Sequence, residues 1–477
     1  MASPRRCPVL PDEIISDEII ARLPAKSVLG CRRLSRAWAA TLTSDDFIDC
    51  YHAVHGGRPK MFCLQDGSRG DVDEEAESCV PIAVTGECFP RYVTVFWDEA
   101  PDPEPGLPDP LPVTTHCRGL VLLELFPTGI HFVCNPSTGQ KRALPEGRTT
   151  GCRNPRELAH KYASLGLGYD ARARRHKVVR IYYRGRDNEW RPAASMGGCE
   201  VYTVNDRDED SAGSWRPVSS TPAGWVEPWK PSVFVQGHVY WFAHQKRHHH
   251  HKFEGKIIVS FSISEETFGA VAPPPAHIMD DKACQSRCLT ELAGRLCLFS
   301  WGSPGFEHRY DVWLLHRDES STRWDLYCRI DAGTASPEVN RVMISRYSSR
   351  SMDFVPLVIT DSGRRILLAQ KDYPEAIWAY TPSTCDIEKL LDLKSVVDKK
   401  NRLLEVAVYE ENIACPGRKL PREIVLASSL STQALLLVLR HLPERTLRRL
   451  MCVCRSWCTM IAMYLFNASG RIYNDAD

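Results

Sequence analysis

Two groupings of side chains in this chain have the donor atoms for metal chemistry. Residues 246–252 read KRHHHHK, four imidazoles in succession, and imidazole is a common transition-metal ligand. Neighbouring side chains of an extended strand point to alternate sides, whereas a structural zinc ion needs four convergent ligands. The run therefore reads as an exposed loop. Near the C-terminus, His441 stands ahead of Cys452, Cys454 and Cys458. Residues two apart lie about 200° apart around a helix, so Cys452 and Cys454 cannot share an ion, and the thiols read as small core residues. No metal and no other cofactor is expected.

Catalytic groupings are sparser. Asp98 and Glu99 form a carboxylate pair, but they sit in a proline-rich acidic stretch with no apolar pocket to split their proton affinities. A G-x-S-x-G elbow, a Walker phosphate loop and an H-E-x-x-H helix are absent, and SWGSPG at 300–305 lacks the strand-to-helix setting of a nucleophile. The stretch ARARRHKVVRIYYRGR, 171–186, interleaves bases with Tyr182 and Tyr183, as single-stranded nucleic-acid sites do. Against that stands the charge balance of 60 Lys and Arg to 59 Asp and Glu, which leaves no overall field toward nucleic acid. A strand with a basic turn, its tyrosines packed inward, accounts for the same letters.

Length and composition set the frame for these residues. At 477 residues the chain predicts one large domain with smaller ones. Its 19 cysteines are scattered and odd in number, and the start MASPRRCPVL has no apolar signal-peptide core, so reduced thiols in cytoplasm or nucleus are expected. The apolar run ALLLVL near the C-terminus is six residues long, far below the ~20 that span a bilayer, and no membrane association is expected.

The first fifty residues read as three short helices. Asp12 suits a cap, Pro24 ends the first helix, and Ile15, Ile19 and Leu23 recur at four-residue steps. Val28, Cys31, Leu34, Trp38 and Leu42 continue at three- and four-residue steps. Ile14 and Ile20 stand off that stripe, so more apolar surface is present than one core-facing helix needs. Either a partner covers it or the head docks on the rest of its own chain.

The same pattern returns at the other end. LPERTLRRLMCVCRSWCTMI, 442–461, aligns without a gap on LPAKSVLGCRRLSRAWAATL, 23–42. Leu442 and Pro443 fall on Leu23 and Pro24, Leu447 on Val28, Val453 on Leu34 and Trp457 on Trp38.

Between the ends, 65–112 is acidic and proline-rich and reads as linker. From 113 to 412 the chain is a series of short β-rich runs broken by Gly, Pro, Asn and Asp, with a helix-like spacing only at DIEKLLDL, 386–393. Six strand-turn-strand units recur: NPSTGQKRAL, YDARARRHKV, VNDRDEDSAGSW, FSISEETF, LHRDESSTRW and TPSTCDIEKL. A step of about fifty residues per unit fits the blades of a β-propeller, with a pair of β-sandwiches as the runner-up. The fold class is thus α plus all-β in several domains.

These motifs resemble a known family. Leu10-Pro11, Leu23-Pro24, Val28, Trp38, Leu42 and Phe47 stand where the F-box has them, with RLSRAW in place of the family's common CVCKSW. CRGLVLL, VCNPSTGQKRALP, LGLGYDARARRHKVVRIY, GHVYWFA, FSISEETFGAV and AVYEEN follow the order of the F-box-associated β-propeller of plant F-box proteins. The resemblance implies an F-box at 8–50, the propeller at 113–412 and a second F-box-like segment at 430–466. It implies a non-catalytic substrate receptor of an SCF-type (Skp-cullin-F-box) ubiquitin ligase, with a Skp-type adaptor, a cullin scaffold and a target protein as partners and no nucleic acid. The alternative is a propeller hydrolase or a free-standing binding module. Adaptor contacts implied by the resemblance are Leu10, Pro11, Ile15, Ile19, Leu23, Pro24, Val28, Leu34 and Trp38, with Leu442, Pro443, Leu447, Val453 and Trp457 as a possible second set.

Overall fold

The computed structural model describes residues 15–417, except for the stretches 67–82, 98–114, 148–162, 184–197, 205–213, 247–252, 279–285, 332–353 and 394–402 and some shorter loops. Leu10, Pro11, the carboxylates Asp98 and Glu99, the four-histidine run and the whole C-terminal repeat lie outside the described residues.

The helical head begins with a π-helical turn, Ile15–Ile19, and a 3-10 turn, Ile20–Arg22. Three α-helices follow: α1 (Ala25–Cys31), α2 (Arg36–Thr41) and α3 (Asp45–His55). Leu23 is extended, as a residue before proline prefers, and Pro24 caps α1, where its missing N–H costs nothing. Ser35 and Ser44 cap α2 and α3 by accepting the N–H groups of Trp38 and Phe47. The single helix expected before Pro24 is therefore two short turns. In them the ~100° per residue of an α-helix does not apply, and Ile20, which that count set off the stripe, is buried in the head's own core.

The rest is a ring of sheets, antiparallel in its five blades. Blade 1 is Thr115–Cys117, Leu120–Leu125, Ile130–Asn135 and Gln140–Ala143; blade 2 is Ala163–Asp170, Arg175–Tyr182, Gly198–Thr203 and Arg216–Val218. In blade 3, Gly224–Val226 and Val233–Val235 both pair with His238–Lys246, followed by Phe253–Ser262 and Thr267–Ala270. Blade 4 is Ser286–Leu292, Arg295–Ser303, Phe306–Arg317 and Thr322–Asp331, and blade 5 is Phe354–Thr360, Arg365–Gln370, Ala376–Thr381 and Asp386–Asp392.

A three-stranded sheet closes the ring. Pro59–Asp66 pairs antiparallel with Leu403–Glu410 and parallel with Tyr92–Trp97. Leu403–Glu410 lies against the innermost strand of blade 5 on one side and that of blade 1 on the other. The propeller thus reaches beyond 113–412, because its last sheet is built from both ends of the domain. Closure of this kind leaves no free inner edge.

Five of the six repeated units lie between the last two strands of the five blades. YDARARRHKV is instead the inner hairpin of blade 2. DIEKLLDL is a correction: Asp386–Asp392 is the outer strand of blade 5, paired along Ala376–Thr381. Its leucine spacing suits a helix, but the turn before it, with Cys385 at φ 58°, folds it back onto the sheet.

The described lysine and arginines of 171–186 are engaged with carboxylates. Lys177 bonds Asp170 (2.8 Å) and Glu266 (2.9 Å), Arg180 bonds Glu200 (2.5 Å), and Arg172 bonds Glu265 (2.5 Å). Tyr183 is buried, its hydroxyl donating to the Gly224 carbonyl and accepting from Val226 N–H.

His176 joins blades 1 and 2 by a hydrogen bond between Nε2 and the Cys117 carbonyl (3.1 Å). Burial drives its pKa from 6.5 down to about 3. The unfolded imidazole takes up a proton below about pH 6.5 while the folded one stays neutral until about pH 3. Stability is therefore complete above that window and falls as pH drops through it. For His176 alone the loss at pH 5 is about 2 kcal/mol relative to pH 7. His176→Gln, which keeps a donor for Cys117, is expected to lessen the acid loss by that amount in urea unfolding at the two pH values; an unchanged difference would contradict the assignment.

Candidate functional site

The implied adaptor residues divide into two groups in the folded head. Ile15 and Leu23 are each 6% exposed and Val28 is 0% exposed, packed with Ile20, Ala21, Cys31, Leu42, Phe47 and Tyr51. These hold the head together. Ile19, Pro24, Leu34 and Trp38 are half-exposed, and Leu34 and Trp38 rest one side on that core. They leave apolar surface facing outward: Ile19 on the N-terminal turns, Pro24 at the start of α1, and Leu34 and Trp38 around the start of α2.

The head is mounted on the propeller through residues that the sequence patterns did not single out. Ile413, 0% exposed, inserts into the head's core from the strand-end segment that leaves the closing sheet. Beside it the buried Glu411 accepts the free N–H of Ala25 at the start of α1 (3.0 Å) and pairs with Lys60. His55 Nδ1 lies 3.4 Å from the same carboxylate. An unpartnered N–H and the positive end of the helix both favour an anion there. Arg32 closes the joint from the other side, donating to the carbonyls of Leu42 (2.8 Å) and Ile413 (3.5 Å).

The next residue ties the joint to blade 1. Asn412 Nδ2 donates to the Arg118 carbonyl (2.9 Å), while Asn135 Nδ2 donates to the carbonyls of Asn412 (2.9 Å) and Ala414 (2.7 Å). Gly119 makes room: at φ 85° it sits so close that a Cβ there would lie 2.1 Å from Asn412 Cβ. Gly119, Asn135 and Asn412 belong to CRGLVLL, VCNPSTGQKRALP and AVYEEN, so those three motifs meet at one place.

A second contact is ionic. Asp45, Asp46 and Asp49 on α3 face turns of blades 1 and 2: Arg175 bonds Asp45 (3.1 Å), Arg174 bonds Asp46 (2.7 Å) and Asp49 (2.5 Å), and Arg118 bonds Asp49 (3.0 Å). Arg118 also lies over the Tyr169 ring at 4.0 Å. Partly exposed pairs of this kind contribute about 0.2–1 kcal/mol each, so they orient the head more than they hold it. His52 is kept neutral at physiological pH, its pKa lowered to about 4 by burial and by Arg118, so its 3.7 Å approach to Glu410 is not an ion pair there.

Removal of the Glu411 carboxylate leaves the Ala25 N–H and the Lys60 ammonium buried without their partner, at a cost of about 2–4 kcal/mol. Glu411→Ala is accordingly expected to lower unfolding stability by that amount and Arg174→Ala by less than about 1 kcal/mol. Urea titration of both variants measures this, and the reverse order would place the joint in the ionic contact instead.

Among the described residues no group of three or more His, Cys, Asp or Glu is arranged to hold a metal ion, and no helix is long and apolar enough to cross a membrane.

Comparisons with known proteins agree with this architecture. A family model described as the F-box associated beta propeller domain matches residues 108–407, and one described as the F-box domain matches 8–49 and 419–468. An F-box/LRR-repeat protein of Arabidopsis thaliana is 25% identical over 336 residues, covering 66% of this chain and 70% of the relative. An F-box/kelch-repeat protein of the same plant is 27% identical over 254 residues, 51% of this chain and 49% of the relative, so the chain spans about half of that protein. Another F-box protein is 21% identical over 402 residues, covering 80% of this chain and 93% of the relative. Among solved structures, a nidogen/laminin complex aligns over 63% of this chain and 86% of that one at 10% identity with a TM-score of 0.29, a level that says nothing of function. With the propeller model matching well over half of its length, the chain belongs to the F-box associated β-propeller family and carries an F-box match at each end.

Proposed function

We propose that this protein is the substrate-recognition subunit of an SCF-type ubiquitin ligase. The F-box engages a Skp-type adaptor, and through it a cullin scaffold, while the propeller holds a target protein. The observation that carries this reading is the outward apolar surface at Ile19, Pro24, Leu34 and Trp38, on a head whose own core is already filled by Ile15, Leu23, Val28 and Ile413. Apolar surface that neither the head nor the propeller covers is a docking surface for another protein.

The contribution to ubiquitin transfer is proximity rather than chemistry. A target lysine held beside a charged conjugating enzyme reacts as an intramolecular group, at effective concentrations that reach about millimolar for short tethers. A head locked to the ring fixes the direction in which the target is presented. Such a subunit works in cytoplasm or nucleus, without a cofactor of its own and without binding nucleic acid or membrane.

The N-terminal copy is the working F-box in this proposal. Its two Leu-Pro pairs begin thirteen residues apart, at Leu10 and Leu23, whereas the C-terminal pairs at Leu420 and Leu442 are twenty-two apart. Leu23→Asp would disturb the fold, since Leu23 is buried, so the informative substitution is at half-exposed Leu34. In a pull-down with purified adaptor, Leu34→Asp is expected to reduce binding at least tenfold while Leu442→Asp leaves most of it. Loss of binding on Leu442→Asp alone would transfer the role to the C-terminal copy, and capture unaffected by either variant would contradict adaptor binding.

A further inference from the structure

The innermost strands of the ring line a partly open cavity of about 120 Å³. Its wall includes His116 of blade 1, Ser232 beside the inner strand of blade 3, Thr290 and Glu291 of blade 4, Val355 of blade 5 and Val408 of the closing sheet. An apolar cavity of about 150 Å³ admits benzene, so this one has room for a molecule of roughly six non-hydrogen atoms.

The polar groups of the wall specify the chemistry. Ser232 is 2% exposed, and its hydroxyl has no hydrogen-bond partner among the described residues. A buried hydroxyl left in that state is destabilising, and a ligand atom that reaches it can satisfy it. Glu291 gives one carboxylate oxygen to the Gly294 N–H, and no ion pair to it is found among the described residues. Burial raises the pKa of Glu291, opposed by the Gly294 N–H, and His116 does not offset that rise, since burial lowers the imidazole's pKa to about 4 and leaves it neutral at physiological pH. A second carboxylate, Glu410, stands two residues beyond Val408; its pKa is raised, first by burial and then by the charge of Glu291. Arg118 opposes this rise from the rim, and His52, the other group at Glu410, is neutral.

The cavity lies toward the face that carries the F-box. Glu291 precedes the turn at Ala293 and Gly294, and Gln236 of the equivalent turn in blade 3 donates to the Gly294 carbonyl (3.0 Å). The equivalent turns of blades 1 and 2 supply Arg118 and Arg174, which bond the aspartates of α3.

We propose that the centre of the propeller is a binding site for a small organic cation, an aliphatic or cyclic primary amine, with its ammonium on Glu291, a hydrogen bond to Ser232 and its hydrocarbon against Val355 and Val408. A carboxylate with no cationic partner among the described residues, an unfilled buried hydroxyl and apolar walls are together the complement of such a molecule. The site does not depend on adaptor binding or on ubiquitin transfer.

Cyclopentylamine is the probe, with cyclopentanol and cyclopentanecarboxylate as neutral and anionic counterparts of similar shape. Thermal unfolding and ligand-observed NMR on the full chain are expected to show saturable binding of the amine, with the alcohol and the acid at least tenfold weaker. Glu291→Gln keeps an acceptor for Gly294 and is expected to weaken the amine at least tenfold. Val355→Trp fills the cavity and is expected to abolish binding while circular dichroism keeps its β signal. The proposal is overturned if the amine does not bind, if the alcohol binds as well as the amine, or if binding survives Val355→Trp.

Discussion

The structure turns on a joint four residues long. Residues 411–414 leave the closing sheet and contribute one side chain each way: Glu411 to the start of α1, Asn412 to the turn of blade 1, and Ile413 to the F-box core. A helical unit of some forty residues supplies only about 3–5 kcal/mol of core stability on its own. Completion of that core by Ile413, which arrives from nearly four hundred residues later, joins the fold of the head to the closure of the ring. The acidic face of α3 then sets its orientation against the arginines of blades 1 and 2.

This arrangement explains why the propeller begins earlier than its family match. The strand that follows the head, Pro59–Asp66, is the middle strand of the closing sheet, so ring and head are fastened by consecutive stretches at both ends of the described chain. Lys60 on that strand pairs with Glu411, which places the covalent link, the sheet and the buried carboxylate side by side. Such closure between distant segments costs loop entropy once and then protects both edges.

The propeller was legible in the sequence because its turns recur at fixed places: the Pro-Ser-Thr turns of 135–144 and 381–390 are the same outer hairpin in blades 1 and 5. The closing sheet was not, since Pro59–Asp66 and Leu403–Glu410 recognise one another only across the whole domain. DIEKLLDL misled because an exposed outer strand needs little apolar alternation, and its leucines happened to fall at helical steps. At the F-box, periodicity found the apolar residues without separating Ile15, Leu23 and Val28, which are buried, from Ile19, Leu34 and Trp38, which are not. That distinction depends on how the turns before Pro24 wind and on what Ile413 fills. Glu411 looked like one acid among many; its role exists only where Ala25, Lys60 and His55 converge.

The 411–414 joint makes the F-box head and the propeller move together. Native-state hydrogen exchange followed by mass spectrometry tests this directly, through the amides of α1, α3 and the 403–414 segment in the unsubstituted chain and in Ile413→Ala. The account expects the head and the segment to open with the same free energy in the parent, and Ile413→Ala to lower both together by about 2–4 kcal/mol. Exchange of the helices that is independent of the segment, and indifferent to the substitution, would contradict it.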